Sequence, residues 1–440
     1  MNIYKTNINK LFYIFLIIHL IIWTLIPTLT NHNLPLDTIE ALAWGSNLDW
    51  GFNKHPPASA FFVEVFYNIF GNKDWAYYFL SQIFVIFSFF IVWKFSYDLL
   101  SDKYFALLSV LLLEAIYYFN FTSPEFNVNI CQLPFWSLTV YYSWKIYSKK
   151  KIELKECLLL GVFAGIGFLS KYLFVYLLIS IKFLFLYSIF IKKDLKYSFQ
   201  YLLPSIVFLV ILTPHLIWLM NNDYITVTYG IHRTGLNELS IIDHFKYPIV
   251  FIGKQIGILI PFFILIFLLI SKFKFTLKFN DKKLLFLLGI NLLPIIFIFL
   301  TSLILGAKIR TMWMTPFYLF IGTLFVYILQ SQINIKRIKN FYKVFIFLFL
   351  LSPISYAYIS IDQTNKRTDY PGNEIANKVQ KKWNQEFNLP INVVLGDEWN
   401  AGNLSYHLKS RPIWEGELEK SKLDSYNMFI CLDDICVGNK

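Results

Sequence analysis

Leu284-Leu285-Phe286-Leu287-Leu288-Gly289-Ile290-Asn291-Leu292-Leu293-Pro294-Ile295-Ile296-Phe297-Ile298-Phe299-Leu300-Thr301-Ser302-Leu303-Ile304 runs without a single charged side chain. A helix rising about 1.5 Å per residue needs roughly 20 such residues to cross about 30 Å of hydrocarbon. A membrane β-strand would alternate polar with apolar side chains, so this stretch is a helix whose solvent is lipid. Comparable runs lie near 11–29, 76–98, 104–120, 128–147, 156–170, 172–191, 199–220, 247–271, 312–330 and 343–361, which makes about eleven spans. The composition agrees: 56% of the 440 residues are hydrophobic and 20% aromatic, more apolar surface than a soluble chain can cover. The first run has no small-x-small cleavage site in Ile26-Pro27-Thr28-Leu29-Thr30, so it reads as an uncleaved signal anchor.

The net charge of +12 does not imply nucleic acid, because the lysines sit in short segments between apolar runs and report orientation. Lys103, Lys149 with Lys151, Lys192 with Lys193, Lys278 with Lys282 and Lys283, and Arg337 with Lys339 and Lys343 fall on one side, which is therefore cytoplasmic. The opposite, outer side receives loops 30–75, 121–127 and 221–246, a short turn near 305–311, and the tail from 362. The expected division is a membrane domain over 1–361 and a small outer domain over 362–440.

The tail turns polar abruptly. Helix-like patterns over Asn373–Trp383 and Trp399–Leu408 flank an extended run, Ile391–Leu395, and an apolar run follows over Met428–Leu432. That is a small α/β unit near the lower size limit for an independent core, so it is expected to rest on the outer loops. Cys431 and Cys436 lie there, and their spacing permits a disulfide without requiring one.

The candidate chemistry gathers on the outer side. In Leu36-Asp37-Thr38-Ile39-Glu40-Ala41-Leu42-Ala43-Trp44, a helix would put Asp37, Glu40 and Trp44 on one face. Lys54-His55-Pro56-Pro57 follows, its prolines fixing the entry to the next segment. The bland alternative is an interfacial amphipathic helix with solvated acids and a snorkelling lysine. Glu125 and Asn127 lie in the second loop, where they have access to sugar hydroxyls. Glu114, inside the third span, is either part of a polar cavity or snorkelling.

An acid-bearing first loop leading to Lys-His-Pro-Pro, many spans and a small outer domain together resemble the GT-C membrane glycosyltransferases that use polyprenyl-phosphate sugars. The resemblance is to the branch of aminoarabinose, galacturonic acid and protein-mannosyltransferase-like enzymes. Ser123-Pro124-Glu125-Phe126-Asn127, Gly165 to Tyr172, Pro214-His215-Leu216-Ile217-Trp218, Asp369-Tyr370-Pro371-Gly372 and Gly396 to Gly402 extend it along most of the chain.

The resemblance implies an all-α polytopic GT-C-like domain with an α/β C-terminal domain, in a bacterial inner membrane with the N-terminus cytoplasmic. It implies inverting transfer of a monosaccharide from a polyprenyl-phosphate carrier to an outer-face glycolipid such as lipid A or its core. Asp37 is then the base and Glu40 its partner and alternate, with Lys54, Lys171 and Arg233 on the donor phosphate. His55, Glu125, Asn127 and His215 are expected to bind substrate. Where the aminoarabinose enzymes tend to carry Glu-Lys-Pro-Pro, this chain has Lys54-His55-Pro56-Pro57, so a metal-binding glutamate is missing and a divalent ion is left open. A transporter or flippase of a lipid-linked sugar is the alternative, but it would place charges at the membrane midplane and usually show internal repeats, whereas here the central thirds of the spans are almost free of charge and the two halves do not match.

Overall fold

The computed structural model describes residues 7–149, 151–236, 240–271, 278–334, 337–419, 426, 428–432 and 434–439. Part of the third outer loop, 237–239, thus lies outside the described residues. Among the described residues, seven helices are long and apolar enough to cross a membrane: Ile8–Thr30, Asp74–Leu100, Tyr172–Ile191, Phe199–Asn221, Asp243–Leu269, Lys282–Leu305 and Ile338–Asp362. The pair Thr311–Tyr318 and Ile321–Gln332, bent by 50°, passes the same test when taken together and makes eight if it is one broken span. This is a multi-pass membrane protein.

The three remaining expected spans are helical but broken or short. At 104–120, a helix over Lys103–Leu111 tightens into 3-10 turns at Leu112–Ala115 and Tyr117–Phe119. Polar side chains compete with the ladder here: Asn120 Nδ2 donates to the Glu114 carbonyl at 2.5 Å. The Glu114 side chain neither snorkels nor lines the main cavity; it is buried against His19 Nδ1 at 3.0 Å. The span expected over 128–147 divides into Val128–Cys131 and Leu133–Ser148, with Pro134 in the first turn of the second piece. Leu154–Ser170 has only 17 residues. The bent pair at 311–332 carries Pro316 inside its 3-10 turn and packs on helix Lys103–Leu111 at Gly322, whose added Cβ would lie 2.1 Å from the Ser109 carbonyl oxygen. The two helices approach too closely there for any side chain.

Loop 30–75 is largely helical, α-helical over Leu36–Ser46 and again over Ala58–Phe70, an apolar helix too short to span. The sequence pattern had marked only the first. In the tail, a helix over Gly372–Glu386 packs with a four-stranded sheet and a second helix, Asn400–His407. The strands are β1 (Val393–Leu395), β2 (Ile413–Trp414), β3 (Met428–Leu432) and β4 (Ile435–Asn439), in the order β2-β1-β4-β3. β1 and β2 are parallel; the other pairs are antiparallel. Cys431 and Cys436 face each other across the β3–β4 hairpin and are joined by a disulfide.

The tail is seated on the first loop. Gly402 lets Asn400–His407 lie against Leu36–Ser46, since an added Cβ would come within 3.1 Å of Ala43 Cβ. Trp399 and Tyr406 join the main apolar core. Arg411 binds Glu64 at 2.6 Å and donates to the Leu42 carbonyl at 2.7 Å, and Tyr406 donates to Asp74 at 2.6 Å.

Candidate active site

The helix Leu36–Ser46 begins after Pro35, which has no side chain to cap it. Glu125 fills that role from the second loop: its Oε1 accepts the Asp37 N–H at 3.0 Å. Thr38 adds a bond from its hydroxyl to the Phe126 carbonyl at 3.1 Å. These contacts aim the first turn, and so Asp37 and Glu40, into a cavity of about 670 Å³. Trp44, one turn further on, stacks on Phe52 with centroids 5.6 Å apart and meets His55 edge-on at 5.9 Å, forming the floor beneath His55.

Five connections remote in sequence supply this one cavity. Asp37, Glu40, Lys54 and His55 come from 30–75, Glu125 from the second loop, Lys171 from the junction of two helices, Arg233 from Ile225–Arg233, and Arg310 from the turn before Thr311. The segments assigned to one side by charge therefore do converge at one end of the bundle.

Its cations divide into two kinds. Lys54 Nζ is taken by carboxylates, Glu40 at 2.9 Å and Glu398 at 3.2 Å. Lys171 Nζ donates to Asn129 Oδ1 at 2.5 Å and lies 5.1 Å from the Trp313 ring centre. Among the described residues, Arg233 and Arg310 have no carboxylate within salt-bridge distance. Among the same residues, Asp37 has no cation within salt-bridge distance and is half-buried on the cavity wall.

Burial raises the pKa of Asp37, opposed by the charges of Lys171, Lys54, Arg233 and Arg310. Burial likewise raises Glu40 against the pull of Lys54. Glu125 is pushed up to about 8 by burial and by the negative charge of Asp37. Burial holds Lys171 down to about 7, with Asp37 acting against it. His55 is lowered to about 3 by burial and the surrounding cations and stays neutral. For Lys54, burial favours the neutral form but the two carboxylates outweigh it and raise the pKa. Such a cavity offers a carboxylate able to accept a proton, opposite cations able to hold an anion.

Seven of the nine residues singled out from sequence line it: Asp37, Glu40, Lys54, His55, Glu125, Lys171 and Arg233. Asn127 lines a small adjoining hollow, where its Oδ1 caps the turn Val128–Cys131 through the N–H groups of Asn129 and Ile130. His215 does not line it. Its ring is buried between the Tyr172 hydroxyl, 2.7 Å from Nε2, and the Trp50 carbonyl, 2.5 Å from Nδ1. Arg310, Trp313, Tyr229 and Glu398 were missed. Arginine usage was the available signal for one of them: the chain has five arginines against 35 lysines, and two of the five face this cavity. A divalent ion is poorly matched here, because Lys54 lies against Glu40 and Glu398 and the charge of Lys171 already acts on Asp37, and no three His, Cys, Asp or Glu side chains cluster as ligands among the described residues.

ArnT from Cupriavidus metallidurans bound to undecaprenyl phosphate aligns with a TM-score of 0.64, over 94% of this chain and 86% of that one, at 12% identity. The chain has the GT-C fold. The same ArnT in the apo state gives a TM-score of 0.62 with equal coverage and 11% identity. The family model described as dolichyl-phosphate-mannose-protein mannosyltransferase matches residues 54–218 of this GT-C chain. That segment carries Lys54, His55, Glu125 and Lys171 but stops short of Asp37 on one side and Arg233 on the other. A comparison with curated proteins finds no match.

Proposed function

We propose that this protein transfers a monosaccharide from a polyprenyl-phosphate carrier to an acceptor hydroxyl of an outer-face glycolipid of the lipid A or core class. The carrying observation is that, among the described residues, Asp37 has no salt-bridge partner and shares one cavity with two arginines that have no carboxylate within salt-bridge distance. In this reading the acceptor oxygen attacks the anomeric carbon and gives its proton to Asp37. The bond from that carbon to the phosphate oxygen breaks on the opposite face, which inverts the configuration. Polyprenyl phosphate leaves with one more negative charge than it carried in the donor, and Arg233, Arg310 and Lys171 stabilise that charge as it develops. Arginine suits a two-point grip on phosphate; lysine supplies a point charge.

The reading places the cavity and residues 362–440, as a separate domain, on the extracytoplasmic side of a bacterial inner membrane, with the N-terminus cytoplasmic. The lysine distribution supports this, and so does the Cys431–Cys436 disulfide, which belongs to an oxidising compartment. The test is mass spectrometry of envelope glycolipids with and without the gene, followed by transfer with purified protein and the donor so identified. Identical glycolipid profiles and no transfer from any polyprenyl-phosphate sugar would reject the reading.

A further inference from the structure

Lys54 is the cavity's most heavily contested cation. Glu40 reaches it from the catalytic helix and Glu398 from the C-terminal tail, so one ammonium faces two carboxylates. Glu398 is only 5% exposed and uses both oxygens on consecutive residues of the first loop: Oε2 on Lys54, and Oε1 on the Asn53 side-chain amide at 2.6 Å. Its own backbone is fixed on either side. Asp397 caps the next helix through the N–H groups of Trp399 and Asn400, and Trp399 is packed between Tyr370 and the Arg367 guanidinium. A carboxylate so braced is not a solvated surface acid that happens to touch a lysine.

A buried carboxylate held against a cavity lysine does what a phosphate oxygen would do there. It satisfies the lysine when the cavity holds no anion, and it must be at least partly displaced when one enters. Arg233 and Arg310 carry no such internal competitor among the described residues, so they attract an anion outright. Resting on the glycosyl-transfer reading above, we propose that Glu398 is a positioning residue that competes with the lipid phosphate for Lys54. By this means the C-terminal unit limits how tightly polyprenyl phosphate is retained after the sugar has left. Without that competition the product, which carries more charge than the donor, would be the best ligand of the site and slow to depart.

The probe is undecaprenyl phosphate, titrated into the full chain in lipid nanodiscs, with thermal unfolding confirming that each variant is folded. Removing the competing charge in Glu398→Gln is expected to tighten binding roughly three- to tenfold, the range for losing one partly shielded ion-pair competitor. Turnover and KM should fall together as product release slows. A merely structural role predicts the reverse split, weaker binding with slower turnover. Asn53→Ala, which unties Glu398 without altering charge, should move affinity in the same direction and serves if Glu398→Gln does not fold. In the double variant Lys54→Met/Glu398→Gln, affinity should equal that of Lys54→Met alone, because the competitor acts only through Lys54. Unchanged or weaker binding in folded Glu398→Gln or Asn53→Ala, or additive effects in the double variant, overturns this proposal alone. Absence of undecaprenyl phosphate binding by the wild-type chain overturns it together with the glycosyl-transfer reading.

Discussion

The Asp37 N–H donates to Glu125 Oε1 across 3.0 Å, so an acid from the second loop starts the helix that carries the proposed base. Glutamine at 125 retains the acceptor oxygen. Glu125→Gln should therefore fold normally and keep most of its activity below pH about 8, where Glu125 itself is held largely protonated. Glu125→Leu leaves the N–H buried without a partner and should cost about 1–3 kcal/mol. Thermal unfolding in detergent distinguishes the two, and equal melting temperatures would remove Glu125 from this role.

Asp37→Asn preserves size and the backbone bond to Glu125 but removes the proton acceptor. Transfer should drop by about 10²–10⁴-fold while donor binding persists, the usual magnitude for a lost general base. The measurement is single-turnover transfer with purified protein. Full activity would hand the base to Glu40 or to another group.

Arg233→Ala and Arg310→Ala each remove a cation that lacks a carboxylate partner in the described structure. Each should weaken undecaprenyl phosphate roughly 10–100-fold, as expected for losing hydrogen bonds to a charged group. Arg→Lys at either position should recover only part of this, because a two-point grip becomes a single contact. Binding isotherms settle it; no change in either alanine variant would place the phosphate elsewhere.

The pH dependence of kcat/KM should be bell-shaped. Burial lifts Asp37 above the ordinary carboxylate range, and only its ionised form accepts a proton, so rate is lost as pH falls through that raised value. On the other side, Lys171 loses its charge above about 7 and Glu125 gains one above about 8; both changes weaken the hold on an anion as pH rises. Lys171→Arg, charged throughout the accessible range, should move the alkaline limb upward. An unshifted limb would show that Lys171 does not set it.

Gly402→Val inserts bulk where helix Asn400–His407 touches Leu36–Ser46. The expected outcome is a lower melting temperature and a loss of transfer far larger than that of a substitution at an exposed position of the tail, such as Lys381→Val. Comparable activity in the two would mean that the tail and the helix carrying the proposed base are not coupled.

Hydrophobic runs and lysine placement made the bundle readable from sequence, because lipid imposes long apolar helices and membranes impose a charge bias. The positions where readability failed share a cause. Glu114 and Asn120 unwind the third crossing, and Gly322 permits a helix contact at a bend, through partners distant in the chain. Local pattern holds no information about such partners. Asp37, Glu40 and Lys54 were legible because they stand together in one loop of a kind the membrane face does not demand. Glu398 was not: it looks like an ordinary acid in a polar tail until Asn53 and Lys54 are seen beside it, 345 positions from Asn53 in sequence. His215 lies off the cavity lining, and sequence could not say so, for a ring beside proline and tryptophan carries the same signature whether it faces a cavity or, as here, Tyr172 and a carbonyl.

The distance in sequence between Asn53 and Glu398 also fixes when Lys54 acquires its second carboxylate. As the polypeptide leaves the ribosome, its proposed base is among the earliest parts delivered to the bilayer, the arginines arrive midway, and the acid that balances Lys54 emerges near the finish. A nascent chain therefore holds Lys54 against Glu40 alone through almost the whole of its manufacture, and an early stop codon would leave that lysine without its second carboxylate for good.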